Sequence, residues 1–144
     1  ASHNHPMYGS IVAWFFKYLA GIRIDKKSPA FKKTNIKPLF PRSIDYVSGS
    51  TETRYGFIKS AWKKTENKIT LEVTIPPNTL ADIYLPLAEK IYDKENKIWE
   101  DNHKHKNNIT KNIYEIVKND NSIVIKTGSG KFKFKLINYN IVRN

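Results

Sequence analysis

Four histidines in two pairs are the residues of this sequence whose type and spacing suit metal binding. His3 and His5 lie near the beginning, and His103 and His105 lie in a polar segment. Two imidazoles two residues apart can share one metal ion when they lie on a strand. A complete site also needs further ligands, and the sequence places no carboxylate or thiolate as an obvious third ligand of either pair. We therefore predict no metal site and no cofactor.

Carboxylates for general acid and base catalysis are scattered along the chain. Glu52, Glu72 and Asp82 are the candidates, and Glu72 is expected on the solvent side of its strand. Hydrolysis of a glycosidic bond needs two carboxyl groups that face each other across a cleft. The chain has no cysteine, which removes thiolate nucleophiles and disulfides. No Ser-His-Asp arrangement or glycine-rich phosphate loop is visible, so we predict no catalytic residues.

Three large aromatic residues are candidates for a sugar-binding platform: Trp62, Trp99 and Tyr84. An exposed aromatic ring can stack on a sugar, but rings of this size are more often part of a core. A free-standing carbohydrate-binding module and a structural domain therefore both remain open. An aromatic row on one exposed sheet face would distinguish the first from the second.

The charge of the chain is strongly positive. It has 25 basic and 13 acidic residues and a formal net charge of +12. Such an excess raises the possibility of nucleic-acid binding. However, only Arg23, Arg42, Arg54 and Arg143 are arginines, and bidentate recognition of bases and phosphates favours arginine. We predict a lysine-rich surface and no nucleic-acid partner.

The sequence segments that must position these residues are predicted to be mostly strands. Lys68–Ile75 and Lys131–Leu136 alternate strictly between apolar and polar residues, which is typical of half-buried strands. The lysines of the second run would also block edge-to-edge pairing. Together with turns at roughly regular intervals, the pattern predicts an antiparallel β-sandwich. The other predicted strands are Ile44–Val47, Arg54–Trp62, Thr79–Leu85, Ile91-Tyr92, Lys97–Trp99, Asn112–Lys118 and Ser122–Thr127.

One apolar helix is predicted before the strands, over Ile11–Ile22, with Gly21 as its stop. Its apolar residues cover more than half of the circumference, so we expect burial on two sides. It is shorter than the roughly 20 residues that cross a bilayer, and no membrane association is predicted. We divide the chain into the terminal helix of a missing helical barrel (1–22), a linker packed on the surface (23–43) and the sandwich (44–144).

The chain resembles the C-terminal region of bacterial α-L-rhamnosidases. His3 and Pro6 depart from the family pattern, in which apolar or aromatic residues are commoner at these positions. The strongest match is the run from Leu71 to Thr79, followed by Ile83-Tyr84-Leu85-Pro86. The other matching segments occur in the family's order along nearly the whole chain: Ser2-His3-Asn4-His5, Tyr8-Gly9-Ser10, Trp14, Ala20-Gly21-Ile22, Pro29-Ala30-Phe31-Lys32, Ile36-Lys37-Pro38, Ser50-Thr51, Arg54-Tyr55-Gly56, Ala61-Trp62-Lys63 and Gly128-Ser129-Gly130-Lys131-Phe132.

This resemblance implies an inverting glycoside hydrolase that removes terminal L-rhamnose, with an (α/α)6 barrel followed by a β-sandwich. The two catalytic glutamates of the family lie upstream of the region matched here. The chain is then an accessory domain that is inactive alone, and its partner is the upstream barrel. Rhamnose-containing glycans would be bound by the full enzyme, whose compartment, periplasm or cytoplasm, is left open.

The resemblance also assigns two roles near the beginning of the chain. His5, in its Asn-His pair, resembles the family's histidine that binds a sugar hydroxyl, and an imidazole N–H can donate such a hydrogen bond. Without a barrel beside it, the apolar helix would leave large side chains in water. We therefore expect a homodimer through this helix when the chain is isolated.

Overall fold

The computed structural model describes residues 15, 17–24, 27, 32–102 and 110–142. Residues 15 and 17–20 are helical and are called α1. The remainder of the described chain is dominated by strands, as the alternating sequence pattern predicts. The strands are β1 (Ile22–Ile24), β2 (Lys33–Ile36), β3 (Tyr46–Thr53), β4 (Gly56–Lys64), β5 (Lys68–Ile75), β6 (Leu80–Leu85), β7 (Leu87–Asp93), β8 (Asn96–Glu100), β9 (Ile113–Lys118), β10 (Ile123–Thr127) and β11 (Gly130–Asn140).

The strands form two sheets that pack face to face. One sheet has the order β1-β2-β6-β10-β9, and the other has the order β3-β4-β5-β11-β7-β8. All neighbouring strands are antiparallel except β2 and β6, which are parallel. This one parallel pair is possible because the chain passes through β3, β4 and β5 of the opposite sheet between β2 and β6. The predicted β-sandwich is confirmed, with this single parallel pair added.

The core lies between the two sheets and is built by the alternation seen in the sequence. In β5 the side chains of Ile69, Leu71, Val73 and Ile75 are buried, while Glu72 is exposed. In β11 the residues Phe132, Phe134 and Leu136 are buried in the same way. A period of two places every second side chain on one face of a strand, so the apolar half of each strand meets the opposite sheet.

The first strands of the second sheet differ from the predicted ones. The sequence pattern predicts strands over Ile44–Val47 and Arg54–Trp62, whereas β3 runs to Thr53 and β4 starts at Gly56. Arg54 and Tyr55 form the hairpin turn between them. Gly56 has a φ of 130° directly after this turn. A positive φ of this kind next to a tight turn favours glycine, which explains the residue at this position.

Two strands lie in the segment that we assigned as a linker. In β1, Ile22 and Ile24 pair with Ile36 and Thr34 of β2, and β2 then pairs with β6. Ile22, counted with the helix above, is therefore a strand residue. Prolines favour extended conformations in the residues before them, but only pairing with β6 makes this segment part of the sheet. In the described residues, no helix is long and apolar enough to cross a membrane.

Candidate functional site

The histidines singled out above, His3, His5, His103 and His105, all lie outside the described residues. Their roles, including the sugar-binding role of His5, therefore remain predictions. Among residues 15, 17–24, 27, 32–102 and 110–142, no group of three or more histidine, cysteine or acidic side chains could hold a metal ion.

The candidate aromatic platform does not form, because its two tryptophans are part of the core, the more common place for rings of this size. Trp62 is 1% exposed and Trp99 is 6% exposed. The ring of Trp62 packs against Phe40, with 4.8 Å between the ring centres. Tyr84 is half-buried, and the Lys37 ammonium lies 4.3 Å from the centre of its ring. Burial of both indoles leaves no row of these three rings for a neutral sugar to stack on.

The candidate carboxylates are not arranged for glycosidic chemistry. Glu72 is exposed, as expected, and lies on the outer face of the six-stranded sheet. Asp82 lies on the five-stranded sheet and forms an ion pair of 2.8 Å with Lys33. The core of the sandwich separates these two carboxylates, so they cannot flank one scissile bond.

The end of helix α1 is held by two side chains of strand β4. The indole nitrogen of Trp62 donates a hydrogen bond to the carbonyl oxygen of Leu19 at 3.1 Å. The hydroxyl of Ser60 donates to the carbonyl oxygen of Ala20 at 2.8 Å. The last carbonyls of a helix have no partner within the helix, so a buried helix end needs donors from elsewhere. Strand β4 supplies them from the inner face of its sheet.

Gly21 ends the helix, as the sequence predicts. Its φ is 81°, and its N–H donates a hydrogen bond to the Lys17 carbonyl oxygen at 2.9 Å. The Gly21 carbonyl oxygen accepts a hydrogen bond from the N–H of Lys37 at 2.8 Å. A Cβ at position 21 would overlap the carbonyl carbon and oxygen of Lys37. Only glycine allows the chain segment after β2 to approach the helix end this closely.

The two sides of helix α1 have different surroundings. Leu19 and Ala20 are 3% and 0% exposed and pack into the sandwich. Phe15 and Tyr18 are 45% and 44% exposed. The Arg23 guanidinium lies 5.5 Å from the centre of the Tyr18 ring, where a cation–π contact is favourable. The sandwich therefore covers one side of the helix and leaves an aromatic side facing outward.

An open cleft of about 560 Å³ lies near this end of the helix. Arg23, which contacts Tyr18, lines the cleft, and so does Leu39, whose N–H donates to the Leu19 carbonyl oxygen at 3.1 Å. The rest of its lining is mainly apolar. Sequence reasoning found the aromatic helix but not this cleft, because the cleft forms where segments distant in sequence meet.

The fold and this helix end define a class: a β-sandwich domain that follows a helix and is attached to its end. Over residues 21–99 the chain matches the family described as bacterial alpha-L-rhamnosidase C-terminal domain, and it belongs to that family. An alpha-L-rhamnosidase of Formosa agariphila is 35% identical over 132 residues, which are 92% of this chain and 13% of that protein. The chain therefore aligns with only a small part of a much longer relative.

Two solved structures share the fold. The alpha-L-rhamnosidase from Dictyoglumus thermophilum is 28% identical, with a TM-score of 0.71, over 94% of this chain and 14% of that one. The Streptomyces avermitilis alpha-L-rhamnosidase complexed with L-rhamnose is 19% identical, with a TM-score of 0.64, over 90% of this chain and 11% of that one. The chain therefore spans about one seventh or less of these relatives.

Proposed function

We propose that this chain is a non-catalytic domain that packs against the catalytic barrel of an α-L-rhamnosidase. The observation that carries the proposal is the helix end. Trp62 and Ser60 hold α1 on the sandwich, while Phe15 and Tyr18 of the same helix face outward. A helix with one side covered and an aromatic side exposed is suited to lie between two domains.

Membership of the family supports the identity of the partner. The relatives are named alpha-L-rhamnosidases, and this chain corresponds to 13–14% of their length. The catalytic glutamates of such an enzyme would lie in the upstream barrel. The full enzyme would act on rhamnose-containing glycans, and His5 would donate a hydrogen bond to a sugar hydroxyl once the barrel completes the pocket.

The absence of hydrolysis by the isolated chain is part of the proposal. Loss of a general acid or a general base each lowers a rate by roughly 10²–10⁴-fold, so a chain without the pair should not cleave an aryl rhamnoside measurably. Turnover above the buffer blank that persists through repurification and disappears on substitution of Glu72 or Asp82 would contradict the proposal.

A graft tests the structural role directly. The corresponding C-terminal part of the Formosa agariphila relative would be replaced by this chain, beside a truncated relative that lacks the part. We expect the graft to be soluble and to hydrolyse an aryl rhamnoside, and the truncated relative to be unstable. In the graft, Phe15→Asp with Tyr18→Asp should abolish the stabilisation, whereas Lys111→Asp with Lys126→Asp should not. A truncated relative as stable and active as the graft would overturn the role.

We further propose that an isolated chain covers the same aromatic surface with a second copy. Each large apolar side chain left in water forgoes roughly 2–3 kcal/mol of burial. A homodimer through the outward side of α1 recovers part of this energy until a barrel is present.

A further inference from the structure

The outer face of the six-stranded sheet carries a concentration of lysines. These side chains occupy the outward positions of three adjacent strands, β4, β5 and β11: Lys59, Lys63, Lys68, Lys131, Lys133 and Lys135. The acidic residue among them is Glu72, whose carboxylate lies 3.7 Å from the ammonium of Lys133. A field of one sign over a low-dielectric sheet attracts counter-charges to that surface. We call this set the lysine face.

The strand register arranges part of this face into a straight row. Tyr46 of β3 lies opposite Lys63 of β4, which lies opposite Thr70 of β5. Thr70 lies opposite Lys135 of β11, which in turn lies opposite Tyr92 of β7. Neighbouring strands are about 4.8 Å apart, so the two lysines of the row are about 10 Å apart along it. Tyr46, at one end, is 63% exposed.

A shallow open depression of about 520 Å³ follows this row. Its lining includes Tyr46, Lys63, Lys68, Glu72, Lys133 and Lys135. The depression therefore combines an exposed aromatic ring with four ammonium groups and one carboxylate. Such a surface offers charge to an elongated ligand and a ring on which a sugar unit can stack.

The simplest structural explanation for the lysines of β11 does not hold. A lysine row protects a strand at the edge of a sheet from pairing with another chain. However, β11 lies in the interior of its sheet, paired with β5 on one side and β7 on the other. It has no exposed edge to protect, so the edge-protection interpretation of Lys131–Leu136 is wrong.

Most of the ammonium groups of the lysine face are not neutralised by ion pairs within the sheet. In the part of the chain that the structure describes, Lys63, Lys131 and Lys135 form no salt bridge. Lys97, farther along the same sheet, differs because it hydrogen-bonds Glu100 at 2.7 Å, which raises the pKa of its ammonium. The lysine face thus keeps several cations without anionic partners side by side, an arrangement that costs energy unless an anion neutralises it.

We propose that the lysine face binds an anionic polysaccharide, a sugar polymer that carries carboxylate or sulfate groups. Lysine is a point charge that accepts anions from many directions, whereas arginine favours fixed bidentate contacts. The face contains no arginine among the six cations, which favours charges spaced along a polymer over bases or paired phosphate contacts. The inference stands on this face alone and is independent of how the helix end packs.

Affinity electrophoresis of the whole chain tests the proposal. The probes are polygalacturonate for carboxylates, dextran sulfate for sulfates, neutral dextran and duplex DNA. We expect retardation by at least one of the anionic polysaccharides at about 50 mM salt, its loss as salt rises, and no retardation by neutral dextran. Absence of retardation by both charged polysaccharides, or tighter binding of DNA at equal charge concentration, would overturn the proposal.

A matched pair of variants distinguishes binding at this face from a general effect of the chain's net charge. Lys63→Gln, Lys133→Gln and Lys135→Gln together should weaken binding at least about tenfold, equivalent to about 1.4 kcal/mol. Lys32→Gln, Lys111→Gln and Lys126→Gln remove the same charge elsewhere and should change affinity less than about twofold. Equal losses in the two triple variants would refute the assigned face. If circular dichroism shows that the first triple variant is unfolded, the single variants Lys63→Gln and Lys135→Gln give the same comparison.

Discussion

The indole nitrogen of Trp62 donates a hydrogen bond to the carbonyl oxygen of Leu19, 3.1 Å away and 43 residues earlier in the chain. Trp62 is 1% exposed, so this bond lies in the interior, where an unpaired carbonyl would be costly. Ser60, two residues before it on the same face of β4, does the same for Ala20. These two hydrogen bonds attach the helix end to the second sheet, and strand β4 thereby constrains the orientation of α1.

Replacement of Trp62 by phenylalanine should measurably destabilise the fold. The change removes the N–H that pairs with the Leu19 carbonyl oxygen and leaves a small cavity. We expect a loss of about 2–3 kcal/mol in the free energy of unfolding, measured by urea denaturation. Tyr46→Phe, on the exposed face of the neighbouring strand, is the control and should cost under about 0.5 kcal/mol. Similar losses for the two variants would show that the buried bond contributes nothing.

Gly21→Ala should be among the most damaging single-methyl additions in the chain. The residue has a φ of 81°, and the new methyl group would overlap the backbone carbonyl of Lys37. We expect a loss of about 2–4 kcal/mol, since both backbone strain and a steric clash contribute. At Gly128 the neighbour of an added methyl is the flexible end of Tyr114, which is 60% exposed. Gly128→Ala should therefore cost under about 1 kcal/mol, and a reversed order in thermal melts would contradict this account.

The ion pair between Asp101 and Lys118 predicts a pH dependence at the edge of the sandwich. The 2.7 Å hydrogen bond from Lys118 lowers the pKa of the Asp101 carboxyl below its ordinary value of 3.8. The pKa of Asp101 is therefore lower in the folded state than in the unfolded state. The pair stabilises the fold fully above the ordinary pKa, and this stabilisation is lost as the pH falls through the lowered pKa. NMR titration should show a higher pKa for Asp101 in Lys118→Gln, and no change in Lys111→Gln. An unchanged pKa in the first variant would show that the bond does not form in solution.

The outward side of α1 predicts concentration-dependent self-association of the isolated chain. Phe15→Ser with Tyr18→Ser removes the two exposed aromatic rings and should weaken association about tenfold or more. Light scattering across a concentration series measures the change, and circular dichroism should show intact strands. Phe57→Ser, which removes an aromatic side chain 51% exposed on β4, is the control. A wild-type chain that stays monomeric at high concentration would contradict the dimer but not the docking of a barrel.

The sequence by itself determined the features that depend on local pattern. Strand β5 runs over the predicted residues Lys68–Ile75, because strict alternation of apolar and polar side chains is incompatible with a helix that buries one face. Gly21 was recognisable as the helix stop, since few other residues adopt its φ. The resemblance to the α-L-rhamnosidase C-terminal region was also readable, from the order and spacing of short motifs such as Ile75-Pro76-Pro77-Asn78.

Only the tertiary structure decided which residues meet. The sequence around Trp62 does not distinguish a core residue from part of a sugar-binding platform. Its hydrogen bond to the Leu19 carbonyl oxygen depends on a partner 43 residues away. The alternation of apolar and polar residues also does not reveal the order of strands in a sheet. Only the structure, with β5 and β7 on either side of β11, places the lysines of β11 in the interior of their sheet. Local periodicity determines which face of a strand is buried, whereas pairing between distant segments determines what each face touches.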